Sequence, residues 1–274
     1  MDWFGKTRKT LMALALAALF LGTQANAQST SSTTTTPAPK VEQEDPEEAG
    51  WHATISPYIW FSGVHGTVGA LGHDAQVNAG FGDIANYLNL GAMASFEVRH
   101  GRVLMPVDFF WIKLSDDKAL PLNDAEAESV KAVLKETIVT PKIGYRIGDS
   151  KRVKVDALFG ARIWHLNTTL NLQPQELAMG FGQATTWADA VAGGRFTFLL
   201  TPKVSVVLAG DAGGISSRSD YQLVGLLDVK LSRKWNLLAG YRYLSVDYRP
   251  GTNKQFVYDV NMPGAVLGAT YIIK

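Results

Sequence analysis

From Trp51 onward the chain alternates, residue by residue, between apolar and polar side chains. The clearest instance is Val153 to His165: Val153, Val155, Ala157, Phe159, Ala161 and Ile163 share one face, while Lys154, Asp156, Gly160, Arg162 and Trp164 share the other. A period of two belongs to β-strands, whose successive side chains point to opposite sides of the sheet. The pattern recurs over Arg102 to Trp111, Glu136 to Ile147, Trp187 to Phe198 and Tyr221 to Leu231. Noisier strands run through Thr54 to Ser62, Leu88 to Arg99, Lys203 to Asp211, Trp235 to Asp247 and Ala265 to Ile273. Globular strands average about 5 to 6 residues, whereas tilted strands that cross a bilayer need roughly 9 to 11, and most of these reach that length.

Links of two sizes separate the strands. Arg99 to Arg102, Gly148 to Arg152, Thr201 to Lys203 and Ser232 to Lys234 are tight, and the connections between them are longer. Short turns on one rim and long loops on the other mark a membrane barrel, and an even strand number leaves both termini on the short-turn side. The expected fold is therefore all-β: an up-and-down antiparallel transmembrane β-barrel of about ten strands, with eight or twelve as the alternatives. A soluble sandwich would instead bury the Val and Phe faces between two sheets.

In a barrel the charged face is the lumen. An arginine turned to lipid costs about 2–4 kcal/mol near the midplane. The lumen set is Glu97, Arg99, Asp108, Glu136, Lys142, Arg146, Asp156, Arg162, Asp189, Arg195, Asp228, Lys230 and Arg242. It mixes both signs, and two readings follow: a salt-bridged plug, or a narrow channel for ions or small polar solutes. Tyr145, Trp235 and Tyr271 fall where a short-turn aromatic girdle belongs, and Trp111 and Tyr221 where a long-loop girdle belongs.

The first residues address the chain. Lys6, Arg8 and Lys9 precede a short apolar run from Leu11 to Gly22, and Ala25 to Ala27 form an A-x-A site. This is the pattern of a cleaved secretory signal peptide over residues 1–27. Residues 28–50, rich in Thr, Ser and Pro and then in carboxylates, read as a disordered low-complexity linker. The barrel domain is 51–274, and the expected location is the outer membrane of a Gram-negative-type cell envelope.

Composition narrows the chemistry further. With no cysteine, the chain has no disulfide, thiolate metal site or cysteine nucleophile, and a net charge of +1 provides no basic footprint for nucleic acid. No metal or other cofactor is expected. The five histidines, His52, His65, His73, His100 and His165, form no ligand-spaced pair on one short element, although a hairpin through the Gly-rich segment could bring His65 and His73 together near Asp74. Ser115 and His165 are the residues to test for acyl transfer, as in a lipid-modifying enzyme, but no nucleophile motif surrounds them. Phe81 to Leu88 reads as one or two helical turns with Asp83 near the start. Asp116 to Glu136 reads as a charged, solvated external loop, with a short helix as the alternative.

The segments Ser56 to Gly69 ("SPYIWFSGVHGTVG"), Phe81 to Arg102, Gly240 to Tyr248 ("GYRYLSVDY") and Gly264 to Lys274 ("GAVLGATYIIK") resemble those of the outer-membrane β-barrel domain family of small bacterial surface barrels. The resemblance covers Trp51 to Lys274. Its motifs mark strands and turns rather than chemistry and so bear on the fold; the expected role is non-enzymatic, structural or in surface interaction, with outer-membrane lipid and the barrel assembly machinery as partners and an undefined small-molecule or ion ligand. The chain departs from the family in ending on Lys274 where a terminal aromatic is usual.

Overall fold

The computed structural model describes residues 50–70, 73–120, 128–173, 181–251 and 256–273; the signal segment and nearly all of the linker lie outside them. Twelve strands and one short helix follow in chain order: β1 (Trp51–Ser62), β2 (Val64–Ala70), β3 (His73–Ala79), α1 (Phe81–Ala85), β4 (Leu88–His100), β5 (Val103–Leu120), β6 (Glu128–Asp149), β7 (Val153–Gln173), β8 (Phe181–Thr201), β9 (Val204–Gly213), β10 (Ser219–Lys230), β11 (Trp235–Tyr248) and β12 (Phe256–Ile272). β1 and β4 to β12 pair in order, each antiparallel to the next, and β1 pairs back onto β12. Ten strands thus close a barrel, and closure leaves no free edge along most of the wall.

β2 and β3 form an additional hairpin at the long-link end. β12 runs past the end of β1 and continues along β2, from Asn261 opposite His65 to Phe256 opposite Ala70. Gly66 makes that crossing possible: its φ is +145°, and a Cβ there would lie 2.1 Å from the Asp259 carbonyl oxygen. β3 then pairs with β2, and α1 leads back to β4.

Outward positions are those of an inside-out protein. Ile143, Phe159, Phe196, Leu223, Tyr241 and Leu267 are all exposed, while Trp60, Trp164, Ile138, Leu244 and Val260 are buried inside the barrel. Over Val103 to Trp111, Val153 to Ile163 and Tyr221 to Val229, the outward parity carries no charged side chain. So large a continuous apolar exterior is tolerated in lipid rather than in water. Trp235 and Tyr271 pack together on the short-turn rim, 4.8 Å between ring centroids, and Tyr145 is exposed on the same rim. Tyr221 stacks on Tyr243 at 6.0 Å towards the other rim, where Trp111 pairs across to Ala92 and Thr137.

Two readings of the sequence need correction. The segment expected to be a charged external loop, Asp116 to Glu136, extends β5 and β6 at both of its ends, with pairing that runs from Ser115 opposite Val133 to Leu120 opposite Glu128. Its Val and Leu spacing suits a helix, but the free backbone of two neighbouring strands offers a ladder that overrides local preference. The histidines His65 and His73 are not brought together: His65 faces Asn78, and His73 faces Ala70. The Gly-rich hairpin turns Val64, Val68, Val77 and Ala79 toward the cavity, too few apolar positions to announce its register.

Candidate functional site: the barrel interior

The inward side chains form three layers. Nearest the short turns, Arg195 is the hub: Nη1 donates to Glu97 Oε2 at 2.6 Å, and Nη2 donates to Asp156 Oδ2 at 2.8 Å. Arg146 Nε donates to Asp156 Oδ1 at 2.9 Å, and Arg99 Nη2 donates to Glu97 Oε1 at 3.1 Å. Asp149 joins through Arg146 at 3.4 Å. Three arginines thus face three carboxylates, and Lys154 also reaches Asp149 at 3.9 Å.

At mid-height Arg162 is fully buried, donating to Asp211 at 2.6 Å and, through a short hydrogen bond, to Asp220. Lys142 shares Asp211 at 2.5 Å, and the Trp164 indole donates to Asp220 at 2.9 Å. Beside them Arg242 pairs with Asp108 at 2.9 Å, takes the Tyr58 hydroxyl oxygen as acceptor at 2.8 Å, and lies 4.6 Å from the centre of the Trp60 ring. Each of these sets is again balanced in charge.

Above them the interior turns aromatic. Trp187 stacks on Trp164 at 5.5 Å and on Tyr248 at 4.0 Å, and Tyr258 meets both indoles edge-on. The Tyr258 hydroxyl donates to Glu136 Oε1 at 3.0 Å. Asp189 serves the link between β9 and β10: its Oδ1 accepts the backbone N–H groups of Ile215, Ser216 and Ser217, each at 2.8 Å, and its Oδ2 accepts the Ser217 hydroxyl. Asp189→Ala should therefore free these donors. The expected loss is about 1–3 kcal/mol, read as faster amide exchange confined to residues 214–218. Unchanged exchange there would show that Asp189 does not hold the link.

Two sequence-selected residues lie nearer the rim. Asp228 accepts from Asn236 at 3.2 Å, and Lys230 is exposed at the short-turn end. Three interior groups escaped the sequence reading. Asp220 shares the even parity of Gln222 and Asp228, and Asp211 the odd parity of Ala209 and Val207, so counting by two from either strand would have found them; Tyr58 lies on β1, whose alternation is blurred by neighbouring aromatics. Outside the barrel, Arg249 bridges Asp247 and Asp259, and the Asp247 hydrogen bond holds its guanidinium above its ordinary range.

Among the described residues, two cavities of the lumen lie on either side of the packed middle. The one on the short-turn side is about 400 Å³, lined among others by Ser56, Glu97, Lys142, Gln222 and Asn236. The one on the long-link side is about 540 Å³ and nearly all apolar. They share no lining residue.

Residues suggested for acyl transfer are apart: Ser115 hydrogen-bonds Asn89 at 2.6 Å, whereas His165 is bonded to Thr186 at 2.7 Å and paired opposite Thr137. Among the described residues no group of three or more His, Asp or Glu side chains is arranged to hold a metal ion.

A closed ten-stranded barrel with an apolar belt outside and compensated charge inside has the architecture of an outer-membrane β-barrel. Neither a protein-family model nor a curated protein matches the chain. Solved structures with a similar course include the outer-membrane protease OmpT from Escherichia coli, at 8% identity and a TM-score of 0.46, covering 85% of this chain and 99% of that one. The attachment invasion locus protein Ail of Yersinia pestis, in complex with sucrose octasulfate, is 13% identical with a TM-score of 0.38, covering 82% and 99%. The translocator domain of the autotransporter NalP from Neisseria meningitidis is 12% identical with a TM-score of 0.34, covering 84% and 90%.

Proposed function

We propose that this is a non-enzymatic outer-membrane barrel whose waist is closed, so that it presents its long-link end outward as a surface for interaction rather than conducting solutes. Residues 1–27 direct export and are removed after Ala27, residues 28–50 serve as a low-complexity linker, and the barrel assembly machinery inserts 51–274 among outer-membrane lipids. The observation that carries the reading is the packed middle layer, where Trp60, Trp164, Ile138, Leu244, Val246 and Val260 are all at most 2% exposed. A water-filled channel requires continuous polar space, and the two cavities remain separate on either side of that layer. The balanced ion pairs favour the same conclusion, since each cation already has its carboxylates and is not displayed to a passing ion.

Planar-bilayer recording tests it. The wild-type barrel should be silent, while a Trp164→Gly/Trp187→Gly variant should give unit steps by removing two stacked indoles from the waist. Stable wild-type steps that shift when Arg162 or Asp189 is neutralised would instead establish the narrow channel.

A further inference from the structure

The cavity of about 540 Å³ on the long-link side is of the size that holds small molecules. Val68, Ile112, Leu114, Leu134 and Phe256 supply much of its wall. Set into that apolar lining is one carboxylate, Glu136, 2% exposed, with the Tyr258 hydroxyl donating to one of its oxygens. On the same wall Gln183 holds a buried Oε1 that has no hydrogen-bond partner. Among the described residues Asp83 is the remaining carboxylic acid of the lining, and the lining holds no Lys, Arg or His. An apolar pocket whose described lining offers acceptors and no cation is complementary to an apolar molecule carrying a donor of positive charge.

The wall beside this cavity is also incomplete. The β1–β4 ladder ends at Pro57 opposite Ala94. Beyond it β1 pairs only with β12 and the upper part of β4 only with β5, and the Trp60 N–H donates to the Met93 sulfur at 3.3 Å instead of to a backbone carbonyl. The break starts within the apolar belt, because Phe61 pairs with Ala265 and Ala265 with the outward Tyr241. β3 pairs with β2 alone and does not bridge to β4. What borders the break is α1, five residues of which none is buried; its Phe81 ring meets Phe61 at 5.0 Å, and Ile84 faces the cavity.

We propose that this cavity is a binding site for a membrane-dissolved alkyl amine, which enters from the bilayer between β1 and β4 past α1 and sets its ammonium group against Glu136. Entry by this route does not pass the closed waist.

The test uses the full barrel in lipid nanodiscs and dodecylamine with a diazirine at the end of its chain, with labelled positions mapped by mass spectrometry. Label should appear on cavity-wall peptides and be displaced by plain dodecylamine. Leu134→Trp, which fills the cavity, and Glu136→Gln, which removes the charge, should each lower labelling about tenfold in protein whose heat-modifiable migration shows it folded. Diazirine dodecanoate should label the wall far less. Because the chain has no native cysteine, a Phe61→Cys/Phe81→Cys variant can be bridged by a short bis-maleimide, and the bridge should slow labelling. Label confined to outward residues such as Phe159 and Leu223, or equal labelling by amine and carboxylate unaffected by Glu136→Gln, would overturn the site. Unchanged kinetics in the bridged variant would overturn the route.

Discussion

Arg162→Met is expected to destabilise the folded barrel by about 3–5 kcal/mol, because it removes a buried cation while leaving its carboxylate partners in place. Arg162 is fully buried and donates to both Asp211 and Asp220. Without it Asp211 keeps Lys142, and Asp220 keeps the Trp164 indole as a neutral donor. Methionine matches much of the lost volume, so the cost reports charge more than cavity. The measurement is urea unfolding of the variant in lipid vesicles, followed by tryptophan fluorescence and by heat-modifiable migration. A triple variant, Arg162→Met/Asp211→Asn/Asp220→Asn, should recover much of the loss, since a buried pair replaced as a unit is often near neutral. A wild-type midpoint for Arg162→Met alone would mean that the mid-height network does not stabilise the barrel.

The opposite face gives the second large effect. Phe159 is 59% exposed on the outside of β7, flanked on the same face by Ala157 and Ala161. Phe159→Arg should cost about 2–4 kcal/mol in a bilayer, where the guanidinium meets hydrocarbon near the middle of the belt. Phe159→Leu should cost less than about 1.5 kcal/mol, since it stays apolar. In an aqueous protein the order would reverse: an exposed arginine would be harmless or solubilising. The same unfolding assay separates the two, and equal midpoints for the arginine and leucine variants would place Phe159 in water.

Most of the wall was legible because a membrane barrel imposes one strict rule on each strand, apolar out and polar in. Along β7 every outward residue from Val153 to Ile163 is apolar, and the inward positions carry Lys154, Asp156 and Arg162 with Leu158 as the one large apolar exception, so both the strand and the inward Arg162 follow from counting by two. Where the rule lapses, so did the reading. Asp211 and Asp220 flank the Gly-Ser link "AGGISSRS", at strand ends where small residues interrupt the alternation, and their role as partners of Arg162 depends on strands far apart in sequence. The division of the lumen by stacked Trp164, Trp187 and Tyr248 was hidden for a related reason. An inward aromatic on one strand says nothing of which ring it meets across the bore. The hairpin β2–β3 and the break it leaves beside β4 come from a Gly-rich segment whose inward face is marked only by Val64, Val68, Val77 and Ala79. Its pairing with the upper half of β12 is a long-range choice that local pattern does not encode.

Nitroxide labels report most directly on which medium touches each face. With single cysteines at Ile143, Leu223 and Val224 in the vesicle-inserted barrel, the labels at Ile143 and Leu223 should be relaxed by lipid-soluble oxygen and shielded from an aqueous nickel chelate. The label at Val224, which lines the short-turn cavity, should not share that oxygen signature. Nickel access at Ile143 and Leu223 equal to that of a label in the exposed turn at Lys151 would contradict the account, because the apolar exterior would then be facing water.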